Sequence, residues 1–383
     1  MQAGQILVYL LTLSVLVVLH EYGHFLIARR NGVRVTDFAV GFGPTILKWT
    51  SPRSGTVYRW NILPIGGYCQ MKGEDGKTSE AEQQREFRAS SIVIANVAGA
   101  SGGPPEYDQD NFQGKRPLQR LAIVIAGPVA NFIVALVLFF AVGFAIGIPS
   151  DHPTLVIGPL VKGAPAERAG LQPGDRIVAV NGVTMRDGDQ LVTLIHASPG
   201  KHLRVEYARG NALRTVDVVP QFTPGPDGVK AGHLGFSPVF PVAERWNVLG
   251  SAQLAWSHFS LTVSETFGAL GGLLTHPASV AGQFQGPIGM ARTSIAVQQM
   301  GIGPFLSLAA LISISLGILN LLPIPALDGG RAVFILVEML RGRPVDPEKE
   351  ALVHVGGFAF LIVLMIAVSF HDVSAAISGH SAF

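Results

Sequence analysis

One cysteine in 383 residues excludes an internal disulfide framework and any zinc cluster built on cysteine. The lone thiol, Cys69, reads as a small packing residue. Charge is scarce too. Asp, Glu, Lys and Arg make up 14% of the chain, against roughly 25% in a soluble globular domain. A net charge of +2 leaves no basic field that would favour nucleic acid as a partner. What stands in place of charge is apolar: 48% of the residues are hydrophobic and the mean hydropathy is +0.39. That leaves too little polar surface to keep the whole chain in water, so part of it sits in lipid.

Three stretches meet the roughly 20 mostly apolar residues needed to cross a bilayer core, at 6–28, 121–146 and 303–322. A fourth, at 352–370, is slightly shorter but uninterrupted by charge. A fifth apolar region, 248–274, carries Ser, Thr, His258 and Glu265 at intervals. It reads as an interfacial or partly embedded amphipathic segment. Lys and Arg flank the spans unevenly. Arg29, Arg30 and Arg34 follow the first, Lys115, Arg116 and Arg120 precede the second, and Arg331, Arg341 and Arg343 lie between the third and fourth. This places 30–120 and 331–350 inside the cytoplasm, with both termini and 150–300 outside. The first span has no basic residue before it and carries His20, Glu21 and His24, so it reads as a retained span rather than a secretory signal.

Between the second span and the later ones the composition returns to that of a soluble domain. Short β-runs at 154–157, 176–180, 202–207 and 214–219 alternate with turn signals at Pro173-Gly174-Asp175 and Asn181-Gly182. Short helices are predicted at 164–170 and 190–197. The chain therefore divides into an N-terminal membrane part (1–150), an extracytoplasmic insert (151–240) and a C-terminal membrane part (241–383). The polar loop 75–111 has no periodicity, and disorder is the expectation there.

The chemistry lies in His20-Glu21-Tyr22-Gly23-His24. On a helix, residues four apart share a face, so both imidazoles can reach one metal ion, with Glu21 placed to take a proton from a water that the ion activates. Ionisable groups inside a span cost several kcal/mol and are functional by default; two histidines and a glutamate at one depth ask for a shared explanation, which zinc supplies. A catalytic zinc usually takes three protein ligands. The candidate for the third is in the segment from Asn320 to Gly330, where Pro323 and Pro325 must unwind the third span. Position alone leaves Asp328 open between a ligand and a helix N-cap. Combined with the first motif, the ligand reading prevails. A depth estimate agrees: His20 lies ~21 Å and Asn320 ~25 Å from the outer ends of their spans at 1.5 Å per residue.

The HExxH helix together with Asn320, Pro323, Pro325, Leu327, Asp328, Gly329 and Gly330 resembles the site-2 protease family of intramembrane zinc metalloproteases (peptidase family M50). It is most similar to the bacterial branch that releases envelope-stress sigma factors. Gly41-Phe42-Gly43-Pro44 and Leu63-Pro64-Ile65-Gly66-Gly67-Tyr68 resemble its membrane-associated β-hairpin region. Ala126-Gly127-Pro128-Val129-Ala130-Asn131-Phe132 resembles its second span, and Gly286-Pro287-Ile288-Gly289 the segment before its third. The insert, with Ala164-Pro165-Ala166 followed by Pro173-Gly174-Asp175, resembles a PDZ domain, single where the best-known Gram-negative members carry two.

The resemblance implies an α-helical polytopic membrane protein with about four transmembrane helices, a membrane-associated β-hairpin region and an inserted α+β PDZ domain. It implies one zinc per chain on His20, His24 and Asp328, with Glu21 as base. Asn320 would hold the substrate backbone or the developing oxyanion. The stretch 66–71, including Gly66, Gly67 and Tyr68, would clamp an unwound substrate as an added strand. At the PDZ domain, 156–160, including Ile157 and Gly158, would face a bound peptide or chain terminus. The implied substrate is a single-pass membrane protein, such as an anti-sigma factor, already shortened by an upstream site-1-type protease. The implied location is the bacterial inner (cytoplasmic) membrane, with the PDZ domain and both termini on the extracytoplasmic side. Two rivals from other classes are a membrane-anchored PDZ adaptor with a vestigial metal site and a transporter using His and Asp as a cation path. The intact glutamate argues against the first, and the lack of a duplicated span against the second.

Overall fold

The structure is a computed structural model and describes residues 2–74, 109–149, 153–224, 230–276, 286–343, 345 and 347–377. Most of the predicted loop 75–111 lies outside the described residues. Contacts divide the chain into two units, Met1–Val142 with Ala252–Phe383, and Gly143–Ser251.

The first unit is built on helices. Among the described residues four are long and apolar enough to cross a membrane: Ala3–Arg30, Pro117–Ile146, Ile302–Leu321 and Lys349–Phe370. The first belongs to α1 (Gln2–Arg30), which closes on Arg29 and Arg30, cations placed where the helix dipole favours them. The second begins at α2 (Pro117–Ala141), with Pro117 in its first turn, where the missing N–H costs nothing. It ends in a single π-turn, Val142–Ile146.

Helices α1 and α2 approach closely through small residues, as helices in lipid do. A Cβ added at Gly23 would stand 2.3 Å from the Ala126 carbonyl oxygen and 2.8 Å from Ala130 Cβ. Further along, Tyr9 and Leu16 of α1 pack with Ile312 of α7 (Ile302–Leu321), and Ala135 and Phe139 of α2 with its Ala310, Ile314 and Ile318.

The region 248–274, read from sequence as an interfacial or partly embedded amphipathic segment, packs against two of the spans. It forms one helix, α5 (Val248–Thr275), whose Ala255, Phe259, Val263 and Leu270 dock on that same α2/α7 core. The Phe259 and Phe132 rings meet edge to face at 5.7 Å. Residues four apart gather one apolar stripe, and protein rather than a lipid surface covers it. Helix α6 (Pro287–Gln299) precedes α7, and α8 (Asp328–Arg341) and α9 (Pro347–Ile377) follow it.

A sheet lies against the Arg30 end of α1. Strand β1 (Val35–Thr50) and strand β2 (Val57–Met71) are long and fold back on themselves. Residues 37–40 pair with 57–60 and also with 67–70, while 45–50 pair with 57–61. The stretch 67–71 is therefore an edge. The sheet's core joins Phe38, Cys69 and Met71 to Phe25 of α1 and Ile123 and Val124 of α2. Cys69 is a buried packing residue there, and burial pushes its thiol above its ordinary range.

Helix α8 is pinned from two sides: Glu338 accepts from the buried Arg120, and Arg331 pairs with Glu74. Arg120 and Arg331, counted from sequence as topology markers, are thus also structural.

The second unit, Gly143–Ser251, is α+β. After β3 (Ile148–Pro149) come β4 (Ile157–Leu160), the short α3 (Pro165–Arg168), β5 (Arg176–Val180), β6 (Val183–Thr184) and α4 (Gly188–His196). Strands β7 (Leu203–Arg209) and β8 (Ala212–Val218) complete an antiparallel sheet of order β6-β5-β7-β8. Strands β9 (Gln221–Pro224) and β10 (Lys230–His233) form a ribbon, β11 (Phe236–Pro238) pairs with β4, and β12 (Val242–Glu244) pairs with β3.

The turn signal Pro173-Gly174-Asp175 has a second purpose. Asp175, 1% exposed, accepts from Arg209 Nε at 2.7 Å, from Arg209 Nη2 at 2.8 Å and from the Gln172 N–H at 2.7 Å. The Arg209 guanidinium holds its carboxyl below the usual range. Arg209→Ala is expected to lower the thermal midpoint of the insert by roughly 5 °C or more, read in the whole chain as faster amide exchange across 203–209. Because the native pKa is depressed, the ion pair contributes fully above the ordinary Asp value of about 3.9 and fades as the pH falls through the lowered native value. The gap between variant and wild type should close in that acidic range. A constant gap from neutral to strong acid would show that packing, not the carboxylate, matters.

Candidate metal centre

Helix α1 brings His20 and His24 onto one face one turn apart, as residues four apart must be. Their rings are buried, edge to face, with centroids 4.8 Å apart. The two Nε2 atoms are 3.2 Å apart.

Asp328 arrives from the other end of the sequence. Helix α7 stops at Leu321, and Leu322 takes the extended backbone of a residue before proline. After Pro323 and Pro325 the chain turns into α8, whose first residue is Asp328. The capping position belongs to Leu327, and no side chain caps the helix. The Asp328 carboxylate turns instead to the imidazoles, with Oδ2 3.1 Å from His20 Nε2 and 3.3 Å from His24 Nε2. The N-cap alternative is not realised.

These three atoms suit a cation. Donors at about 2.0–2.1 Å from a tetrahedral zinc stand about 3.3 Å apart, and the triangle here has edges of 3.1, 3.2 and 3.3 Å. Asp328 Oδ2 is buried without a hydrogen-bond partner. His24 Nδ1 lies 2.8 Å from the Ile123 carbonyl oxygen. A carbonyl only accepts, so the ring donates from Nδ1, and its Nε2 lone pair faces the other two donors. On His20, Nδ1 lies 3.1 Å from the Asn131 amide, whose Oδ1 is buried and unpartnered. A His20 Nε2 that is free for a metal carries its proton on Nδ1, and Asn131 accepts it once its amide turns Oδ1 rather than Nδ2 toward the ring.

Glu21 does not join the triangle. It lines a cavity of about 200 Å³ with His20, Asn131, Asn320 and Asp328. Asn320 is in the last turn of α7. The structure thus brings four of the predicted site residues, His20, Glu21, Asn320 and Asp328, around one cavity, with His24 completing the triangle beside it.

Gly66, Gly67 and Tyr68 lie on the edge stretch of β2 beside α1, where a Cβ on Gly67 would come 3.5 Å from Val18. Gly66 has φ +77°, a conformation that favours glycine.

Ile157 and Gly158 do not present the open edge expected of a peptide-facing strand. The Ile157 N–H donates to the Asp175 carbonyl, and its own carbonyl accepts from Gly174. On the other side β4 pairs with β11. Ile157 is 1% exposed, and a Cβ on Gly158 would meet the Ser237 carbonyl oxygen at 2.5 Å. Both backbone sides of the strand are used near that point, so nothing can add there.

Sequence reasoning missed the support behind the histidines. Asn131 and Gly127 stand in the quoted second-span motif, but no role was read for them. A Cβ on Gly127 would stand 2.2 Å from His24 Nε2 and 2.7 Å from His20 Cε1, so only glycine lets α2 come this close. An amide in an apolar span was the signal that could have found Asn131.

The model of peptidase family M50 matches residues 8–364. The chain belongs to peptidase family M50. Two curated relatives match nearly end to end. Zinc metalloprotease RasP of Geobacillus kaustophilus is 33% identical over 96% of this chain and 97% of its own. The Regulator of sigma-W protease RasP of Bacillus subtilis is 31% identical over 97% and 99%. Among solved structures, the PDZ domain of the SdrC-like protein of Listeria monocytogenes aligns with 24% of this chain and 94% of its own, at 18% identity and a TM-score of 0.20. The M50 chain described here is a membrane-embedded zinc metalloprotease of the site-2 type, and the adaptor and transporter readings are set aside.

Proposed function

We propose that His20, His24 and Asp328 hold one zinc ion per chain and that Glu21 is the general base in hydrolysis of a peptide bond within a transmembrane segment. The observation that carries this is the closed triangle of three buried donors with Glu21 on the adjoining cavity. When bound, zinc supplies Lewis-acid polarisation of the carbonyl and lowers the pKa of water toward neutrality. The rest falls to the chain. Glu21 takes the proton of the attacking water on its carboxylate and later delivers it to the amine that leaves. Asn320, across the same cavity, donates from its amide to the oxygen on which charge develops.

A helix hides its peptide bonds from attack, so the substrate must unwind. The edge stretch 66–71 offers backbone to pair with it as an added strand. The substrate class we propose is a single-pass membrane protein, such as an anti-sigma factor, first shortened by an upstream site-1-type protease. The sigma-W regulator among the relatives supports that class.

The insert would receive a peptide or chain terminus. Among the described residues β11 pairs only with β4, whereas β4 is also bonded at Ile157 to Gly174 and Asp175, which favours β11 as the place of addition. We further propose the bacterial inner membrane as location, with both termini and the insert extracytoplasmic, and functional parts at 1–150, 151–240 and 241–383.

The test is elemental analysis of the purified whole chain beside His24→Ala. About one zinc per wild-type chain, lost in the variant, is the expected result. Metal-free wild type, or a variant that keeps the ion, would remove the basis of this reading.

A further inference from the structure

Helix α9 closes the spans, and residues 352–370 expose apolar side chains along much of their length, as a helix facing lipid does. Within 352–370 the one titratable side chain is His354. His354 is part-buried, with its Nε2 enclosed and without a hydrogen-bond partner. Its Nδ1 accepts the backbone N–H of Ala326 at 2.8 Å. An imidazole inside a span needs a reason to be there.

Ala326 supplies the reason. Its φ is +77°, the one positive φ on a non-glycine residue among the described residues of the first unit. An L side chain disfavours that region. Ala326 stands between Pro325 and the start of α8, at the reversal that brings Asp328 to the imidazoles. One turn beyond His354, Gly357 meets the same segment, where an added Cβ would lie 2.4 Å from Pro325 Cβ and 2.5 Å from its carbonyl oxygen. From the opposite side, a Cβ on Gly330 would lie 2.4 Å from the Ile324 carbonyl oxygen. The Phe334 ring of α8 stacks obliquely on His354 at 5.6 Å. The reversal is thus gripped between α8 and α9, and its least favoured residue is held by one side-chain acceptor.

We propose that His354 is a positioning residue: its Nδ1 fixes the strained turn at Ala326 and so sets the Asp328 carboxylate at the metal centre. The inference rests on the metal-ligand reading above and adds a fourth-span residue that touches neither metal nor substrate. Coupling of this kind makes the last span a part of the site, although the donors lie on other helices.

The experiment uses the full chain in detergent. Zinc affinity is read by competition with a chelator, and kcat and KM are read on a transmembrane substrate. His354→Leu is expected to weaken zinc by roughly 10-fold or more, as outer partners of metal ligands do, and to lower kcat with little change in KM. His354→Phe, closer in volume to histidine, serves where leucine leaves the helix badly packed. His354→Asn, whose Oδ1 can accept the same N–H, should recover most of the affinity. Ala326→Gly placed in the His354→Leu background should recover it as well, because glycine takes a positive φ without penalty. Unchanged zinc affinity and kcat in His354→Leu would overturn the proposal. So would a loss that neither asparagine nor Ala326→Gly restores, since that marks a packing role. Wild type that binds no zinc would bring down the metal-ligand reading itself, and this inference with it.

Discussion

Replacing Glu21 by glutamine is expected to leave zinc bound and the fold intact while slowing peptide hydrolysis roughly 10²–10⁴-fold, the usual contribution of a positioned base. The reasoning is geometric. Glu21 neighbours a ligand in sequence but lines the cavity rather than the donor triangle, so the isosteric amide removes a proton acceptor without removing a ligand. Matched zinc content with near-normal turnover would mean that another group takes the proton. Zinc lost together with activity would instead make Glu21 a ligand or a prop for one. Measuring metal and single-turnover cleavage on the same preparation separates these outcomes.

Asp328→Ala should act on the other half of the mechanism. It removes one of three donors and leaves two imidazoles facing a gap, so zinc affinity should fall by more than the roughly 10–100-fold typical of an outer partner. Helix α8 should survive, because Asp328 supplies no cap hydrogen bond and loses only a favourable interaction with the helix dipole. The Arg120–Glu338 and Arg331–Glu74 pairs remain to hold it. Chelator competition and amide exchange over 328–341 make the comparison. Full zinc affinity with a frayed first turn would return Asp328 to a capping role.

The spans were legible because apolar runs of sufficient length have few alternative readings. The paired imidazoles at 20 and 24 could be read from spacing alone, since one helical turn places them together. The insert's strands were found where turn residues bracket them, as at β5, and slipped where they do not: the first strand of the insert begins at Ile157 rather than ending there.

Three kinds of information were out of reach. Pairing partners came first: nothing local to Ile157 reveals that Asp175, Gly174 and Pro238 occupy both its sides. Next came close approaches, such as that of Gly127 to His24, which depend on how two helices cross. Last came the acceptor on Ala326, because a histidine inside an apolar helix carries no sign of which distant backbone it will meet. The docking of α5 belongs with these, since its scattered polar residues concealed a stripe that only the α2/α7 core reveals.

The donor triangle also has a consequence in time. Its first two corners are made roughly 300 residues before its third, which at about 5–20 residues per second is a delay of roughly 15–60 s. Through that interval the growing chain carries a pair of histidines that cannot yet form a finished centre. On the proposed metal-ligand reading, destructive chemistry is withheld from the membrane until the third span has been threaded and Asp328 has turned back toward the first.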